Sequence, residues 1–280
     1  MSKKMRLDLL LVERGLADSR SQAQRLVMAG QVRVADQVVN KPAVKVDSKA
    51  KLMVKARPRF VSRGGEKLQA AFEAFDLDVK GKTCADVGAS TGGFTDCLLQ
   101  HGARRVYAID VGKGVLHWKL RNHSQVVVME ETNARYIEAL PEAVDFVTID
   151  ASFISLKVLL PVVRKWEGVI DVLALIKPQF EAGRREVARG KGVVRDPEIH
   201  RCVLMDVLSF AQKQGFYLQG LARSPLLGPK GNAEFLAWFN LSSQPLAAND
   251  LTFWINRVVE MAEKDTPPAP DPSTPLASPG

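Results

Sequence analysis

The chain opens with short amphipathic segments and then changes to a longer rhythm of wholly apolar runs. In LDLLLVERG (residues 7–15), Leu7, Leu10 and Leu11 fall at helical spacing and Gly15 closes the run. Ser19 stands where it caps a second helix, SRSQAQRLVMAG, with the apolar face Ala23, Leu26 and Val27 and an end at Gly30. QVRVAD and QVVN then alternate around a turn, and KLMVKA repeats the strand pattern. Together these segments predict a small α/β module. ARPRFVS (56–62) reads as a linker broken by Pro58. Ser62 is expected to cap the helix that follows, which carries Lys67, Leu68, Ala71, Phe72 and Phe75.

From residue 80 to 240 the pattern is different. TCADVGA (83–89), RVYAID (105–110), QVVVME (125–130), DFVTID (145–150) and DVLALIK (171–177) are continuous apolar runs, partly β-branched. Helical patterns such as GFTDCLLQHG and SLKVLLPVVRKW separate them. Strands apolar on both faces, alternating with helices, predict a doubly wound parallel sheet. FYLQGLARSPL and AEFLAWFNL predict two more strands, joined through GPKGN. The final segment, DTPPAPDPSTPLASPG, is Pro-rich without an apolar period and is expected to be disordered. The expected organisation is a module over 1–55, a linker over 56–62, a large α/β domain over 63–264 and a tail over 265–280.

Charge changes this picture. The chain of 280 residues carries a net +8, but residues 1–67 hold 16 Lys and Arg against 6 Asp and Glu, leaving 23 against 25 elsewhere. A basic headpiece on a near-neutral body points to a polyanionic partner. Arg6, Arg20, Arg25, Arg33, Lys41 and Lys45 are available to its polar face. Cys84, Cys97 and Cys202 lack zinc spacing and form an odd set, which suits a reducing cytoplasm better than a disulfide framework. Asp8 and Glu13 interrupt the opening segment, so it does not read as a signal peptide, and no apolar run reaches about 18 residues, the length of a membrane span. The four histidines show no ligand spacing, so no metal site is expected.

DVGASTGGFTD (86–96) follows the first strong strand and opens a helix, the place where open α/β sheets bind ligands. Gly88 permits a sharp turn, and Gly92 and Gly93 permit close backbone approach. Ser90 stands where a dinucleotide fingerprint has its second glycine, and no Lys-Ser or Lys-Thr follows as in a phosphate-binding loop. A structural turn explains such a loop about as well. Asp110 ends the second strand, where a carboxylate reaches ribose hydroxyls. Without a phosphate cradle, the pair favours S-adenosylmethionine over NAD or ATP. The expected cofactor set is Asp86 at the methionine end, the loop residues Gly88, Ser90, Gly92, Gly93 and Phe94, Asp110 at the ribose, and Glu130 or Asn133 at the adenine.

Asp150 and Lys177 end adjacent predicted strands, Glu234 begins the last one, and Lys67 precedes the sheet on a helix. A lysine completing so apolar a run needs a partner or a task. A pair of salt bridges holding the strand ends is the plainer alternative.

Three resemblances sharpen these expectations. RLDLLLVERGLADSRSQAQRLVMAGQVRVADQVVNKPAVKV resembles the RNA-binding module first seen in ribosomal protein S-four. The set Lys67, Asp150, Lys177 and Glu234 resembles the K-D-K-E tetrad of the FtsJ-like ribose 2′-O-methyltransferases. The whole of residues 5–240 resembles the TlyA (haemolysin A) family of rRNA methyltransferases, most specifically in VSRGGEKL, DVGASTGGFTD, TIDASFISL, ALIKPQFEAG, KGVVRD and GPKGNAEF. That resemblance implies a Rossmann-like class I methyltransferase domain behind a small N-terminal α/β RNA-binding domain. It implies S-adenosylmethionine as cofactor, ribosomal RNA or ribosomal subunits as partner, and Lys67, Asp150, Lys177 and Glu234 as the catalytic tetrad. In that tetrad a lysine meets the hydroxyl, since an amine takes a proton only when partly neutral, a state favoured by burial and by a second nearby cation. Nothing in the sequence requires a protein partner or a membrane. The alternatives are a non-catalytic ribosome-assembly factor, a base methyltransferase and, with least support, a membrane-lytic protein. The segment Asp150-Ala151-Ser152-Phe153 differs from the Asn-Pro-Pro-aromatic motif common in amino methylation.

Overall fold

The computed structural model describes residues 4–55, 58–183, 187–188 and 190–264. The Pro-rich tail (265–280) and residues 56–57 of the expected linker lie outside the described residues. The chain divides into two compact units, Met1–Pro58 and Arg59–Gly280.

In the first unit, β1 (Lys4–Arg6) leads into α1 (Leu7–Glu13), followed by α2 (Arg20–Met28), β2 (Val32–Val34), β3 (Gln37–Val38), β4 (Lys45–Asp47) and β5 (Leu52–Val54). Ser19 caps α2 as expected, its side chain accepting from Gln22 N at 3.2 Å. Ala35 and Asp36 both take positive φ between β2 and β3, the twist a two-residue hairpin turn needs. Leu7, Leu10, Leu11, Ala23, Leu26, Val27 and Val32 form the core. The β1–β4 antiparallel pair was not legible in the sequence, because three-residue strands flanked by lysines carry no alternation.

In the second unit, α3 (Gly64–Ala74) precedes the sheet strands β6 (Thr83–Val87), β7 (Arg105–Ile109), β8 (Val126–Met129), β9 (Phe146–Ile149) and β10 (Asp171–Ile176). The closing strands are β11 (Tyr217–Arg223) and β12 (Phe235–Asn240). They form one seven-stranded sheet in the order β11-β12-β10-β9-β6-β7-β8. Strands β6 to β10 run parallel, while β12 pairs antiparallel with both β10 and β11. This is the expected Rossmann-like α/β fold, and its layers are filled by the expected apolar runs.

The further helices described in this unit are α4 (Gly93–Gln100), α5 (Trp118–Arg121), α6 (Leu156–Val163), α7 (Pro178–Glu181), α8 (Pro197–Lys213) and α9 (Ala248–Lys264). Two start signals behave differently. Ser62 does not cap α3: Arg63 holds the cap position and makes no side-chain cap bond. Asp196 does cap α8, accepting from Glu198 N at 2.9 Å with Pro197 at the first helical position, a signal present in RDPEIH. Residues 59–62, read as linker, belong to the second unit. Phe60 is buried, and Val61 N donates to Asp96 Oδ2 at 2.8 Å. Among the described residues no helix is long and apolar enough to cross a membrane.

Candidate active site

Strand register assembles the site. Ile149 lies opposite both Val87 and Ala174, so Gly88 and Asp150 leave the sheet together. Ile176 lies opposite Phe235, which sets Glu234 beside Lys177. Pro178 then ends β10 and begins α7, with Lys177 at its cap. The helix α3, packed on α4, brings Lys67 to the same place.

Lys67, Asp150, Lys177 and Glu234 line one cavity of about 630 Å³. Lys67 Nζ lies 2.5 Å from Glu234 Oε2, and Lys177 Nζ lies 2.6 Å from Asp150 Oδ1. Lys177 Nζ also donates to Ser152 Oγ at 3.1 Å and to the Asp150 carbonyl at 3.3 Å. Lys177 is only 7% exposed and Glu234 only 1%. The buried Lys177 and the partly exposed Lys67 are thus each paired with one carboxylate, which keeps both amines at the cleft at tolerable desolvation cost. Asp150 Oδ1 meets Lys177 outside hydrogen-bond angles and is a buried acceptor without a hydrogen bond.

A second cavity of about 460 Å³ adjoins the first, and Gly88, Ser90, Asp150, Ser152 and Phe153 line both. Asp110 and Asn133 line the second. Asp110 accepts from Ser90 N at 2.8 Å and Gly112 N at 2.7 Å, which fixes its carboxylate at the cavity wall. Gly88 has φ +86, and a Cβ there would lie 2.8 Å from the Asp150 carbonyl oxygen, so only glycine lets the two strand ends meet. At Gly93 a Cβ would lie 2.7 Å from Gly65 N, so this glycine seats α4 against the start of α3.

Three residues of the expected cofactor set line neither cavity. Asp86 is fully buried and accepts from Thr95 Oγ1 at 2.7 Å and Thr148 Oγ1 at 3.0 Å. Burial pushes its carboxyl up to about 6, against the partial relief of those two hydroxyls. Gly92 turns toward Leu116 and Leu120, where a Cβ would lie 2.2 Å from Leu120 Cδ1. Glu130 is engaged by its own loop, accepting from Gly114 N at 2.7 Å, Leu116 N at 3.0 Å and Arg121 Nη2 at 2.6 Å. The Arg121 guanidinium, with those amides, holds its carboxyl down at about 2. Gly93 and Phe94 line the tetrad cavity rather than the Asp110 cavity. The sequence reading missed Ser152, Gln179, Phe180 and Asn232 as lining residues. Of these, GPKGN held a signal for Asn232, which accepts from Val194 N at 2.8 Å and donates to the Gly192 carbonyl at 2.9 Å, bracing the loop over the cavity.

In the first unit, Arg25, Arg33 and Lys41 are exposed. Arg6 and Arg20 are partly exposed and both contact the buried Asp8.

A profile described as FtsJ-like methyltransferase matches residues 60–241. The chain belongs to the FtsJ-like methyltransferase family. A second profile, S4 domain, matches residues 5–52. Among relatives of this methyltransferase, a Mycobacterium tuberculosis protein named 16S/23S rRNA (cytidine-2′-O)-methyltransferase TlyA is 44% identical over 92% of this chain and 98% of its own length. Hemolysin A of Brachyspira hyodysenteriae is 42% identical over 84% of this chain and 99% of its own length. The solved structure of a "Putative hemolysin from Streptococcus thermophilus" has 42% identity and a TM-score of 0.70, over 95% of this chain and 99% of that one. Family membership makes S-adenosylmethionine the methyl donor of this enzyme. The pocket fits such a group: a fixed carboxylate at Asp110 and a backbone cradle at Gly88 line the cavity next to the paired Lys177 and Asp150.

Proposed function

We propose that this methyltransferase modifies a ribose 2′-hydroxyl of ribosomal RNA. The observation that carries the reading is the pairing of Lys177 with Asp150 and Lys67 with Glu234 in one cavity beside the Asp110 cavity. The name of the Mycobacterium relative, which specifies cytidine-2′-O methylation of 16S and 23S rRNA, supports it.

S-adenosylmethionine, when bound, supplies an electrophilic methyl group on a sulfonium that departs as a neutral thioether. The residues of the chain do the rest. Gly88 and Ser90, which line the cavity, would cradle the cofactor, Asp110 would take its ribose hydroxyls and Asn133 would reach its adenine. Lys177 Nζ, held by Asp150 and Ser152, meets the target hydroxyl. In its neutral form the amine takes the hydroxyl proton as the new oxygen–carbon bond forms, and Asp150 stabilises the resulting ammonium. Lys67, fixed by Glu234, tunes and orients that centre. In-line positioning supplies most of the acceleration, and proton removal adds about 10²–10⁴-fold. The S4-type unit docks RNA through Arg6, Arg20, Arg25, Arg33 and Lys41, and the enzyme works in the cytoplasm on subunits or naked rRNA.

The test is tritium transfer from labelled S-adenosylmethionine to ribosomal subunits and to naked rRNA, comparing wild type with Lys177→Ala. Label retained at ribose after base removal, and lost in the variant, is the expected result. Label on the base, or full activity in Lys177→Ala, refutes the mechanism.

A further inference from the structure

The first unit buries one charged group that the methyl-transfer chemistry does not use. Asp8 has no exposed surface, yet its carboxylate gathers five donors. Arg6 donates from Nε to Oδ1 at 3.0 Å and from Nη2 to Oδ2 at 2.9 Å. Arg20 Nε and Gln24 Nε2 donate to the same Oδ2 at 3.1 Å and 3.0 Å, and Leu9 N donates to Oδ1 at 3.0 Å. These donors hold the carboxyl well below the usual carboxylate range, so Asp8 stays charged.

Two guanidinium groups face one carboxylate, so one positive charge is left over at this spot. Sharing Oδ2 sets the two arginines side by side, while their side chains remain 36% and 54% exposed. Among the described residues, Arg6 Nη1 and both Nη atoms of Arg20 take no hydrogen bond. The N–H groups left over, on Arg6 Nη1 and on both Nη atoms of Arg20, suit the two non-bridging oxygens of a phosphodiester, which carries the one negative charge required. A carboxylate is an expensive way to hold a small core together, since apolar side chains of similar volume do so without desolvation. It is an effective way to order two long cationic side chains before a ligand arrives.

We infer that Asp8 sets Arg6 and Arg20 as a two-guanidinium clamp for one RNA phosphodiester. The inference rests on the RNA-docking reading above and assigns Asp8 as a positioning residue. Its sign is diagnostic. Asp8→Asn makes the unit more positive, so charge alone predicts tighter RNA binding, whereas loss of a clamp predicts weaker binding.

The experiment uses the full chain and a fluorescein-labelled RNA stem-loop, with anisotropy titrations over a series of KCl concentrations. Asp8→Asn is expected to weaken binding about tenfold, the factor for releasing two ordered side chains, with the salt slope kept. Arg20→Ala is expected to weaken binding and reduce the slope by about one counterion. Should Asp8→Asn fail to fold, Arg6→Lys with Arg20→Lys keeps every charge and the carboxylate but loses the forks, and the same weakening is expected. Asp8→Asn binding as tightly as wild type, or the lysine pair doing so, overturns the clamp. Wild type showing no salt-dependent RNA binding removes the docking reading itself, and the clamp with it.

Discussion

Replacing Lys67 with methionine separates what the Lys67–Glu234 pair does for the fold from what it does for the reaction. Glu234 is 1% exposed and Lys67 12%, so the substitution strands a carboxylate in a nearly closed site. Breaking a buried pair from one side costs about 3–5 kcal/mol, and the residual exposure of Lys67 places this case near about 3 kcal/mol. That is a large share of the stability of an ordinary domain, about 5–15 kcal/mol. All four tryptophans (118, 166, 238 and 254) lie in the second unit, so a urea titration followed by tryptophan emission reports that unit alone. Adding Glu234→Gln to Lys67→Met removes the stranded charge and is expected to recover about 2 kcal/mol, because a neutral amide needs no cation. Methyl transfer is expected to stay lost in both variants. A loss below about 1 kcal/mol in Lys67→Met would mean that water reaches the pair and the burial argument is wrong. Transfer restored in the double variant would make the pair structural only.

Three further outcomes are expected. Gly88→Ala forces a side chain into left-handed backbone and against the Asp150 carbonyl; it should cost about 1–2 kcal/mol for the backbone conformation alone and about 100-fold in rate through displacement of Asp150, measured by urea midpoint and initial rate. Asp86 keeps its proton to about pH 6 when folded but releases it near pH 4 when unfolded, so it favours the fold below pH 4 and that contribution is lost as pH rises through 6. Asp86→Asn should therefore gain about 3 kcal/mol relative to wild type between pH 4 and pH 7, and parallel stability curves for the two proteins would sink this reading. Asp110→Ala should weaken S-adenosylhomocysteine binding at least about tenfold by calorimetry, because the ribose loses its acceptor and the loop amides of Ser90 and Gly112 lose theirs.

The positions of Lys67, Asp150, Lys177 and Glu234 were legible because each stands at the end of an apolar strand or in a motif resembling the FtsJ-like pattern. Their partners were only partly so. Asp150 and Lys177 end neighbouring runs, but that Lys67 meets Glu234 across 167 positions follows from the antiparallel insertion of β12 beside β10. The cofactor loop shows the limit from the other side. Asp86, Gly92 and Glu130 have the right residue types at the right strand ends, yet Asp86 and Gly92 face the interior and Glu130 is spent on its own loop amides.

Residue order alone fixes the elements with strong periodicity: the parallel strands, the capped helix α2, the basic first segment and the strand-end placement of Asp150, Lys177 and Glu234. These are local properties, fixed by alternation, capping and charge, and they survive any detail of packing. Which polar groups meet is settled by packing in three dimensions. Sheet register chose Glu234 for Lys67, helix packing placed α3 at the cleft, and the fold of the first unit turned Asp8 from an interruption in an apolar run into the shared partner of Arg6 and Arg20. Pairing of buried charges depends on distance through space in a low dielectric, and sequence separation carries no measure of that distance.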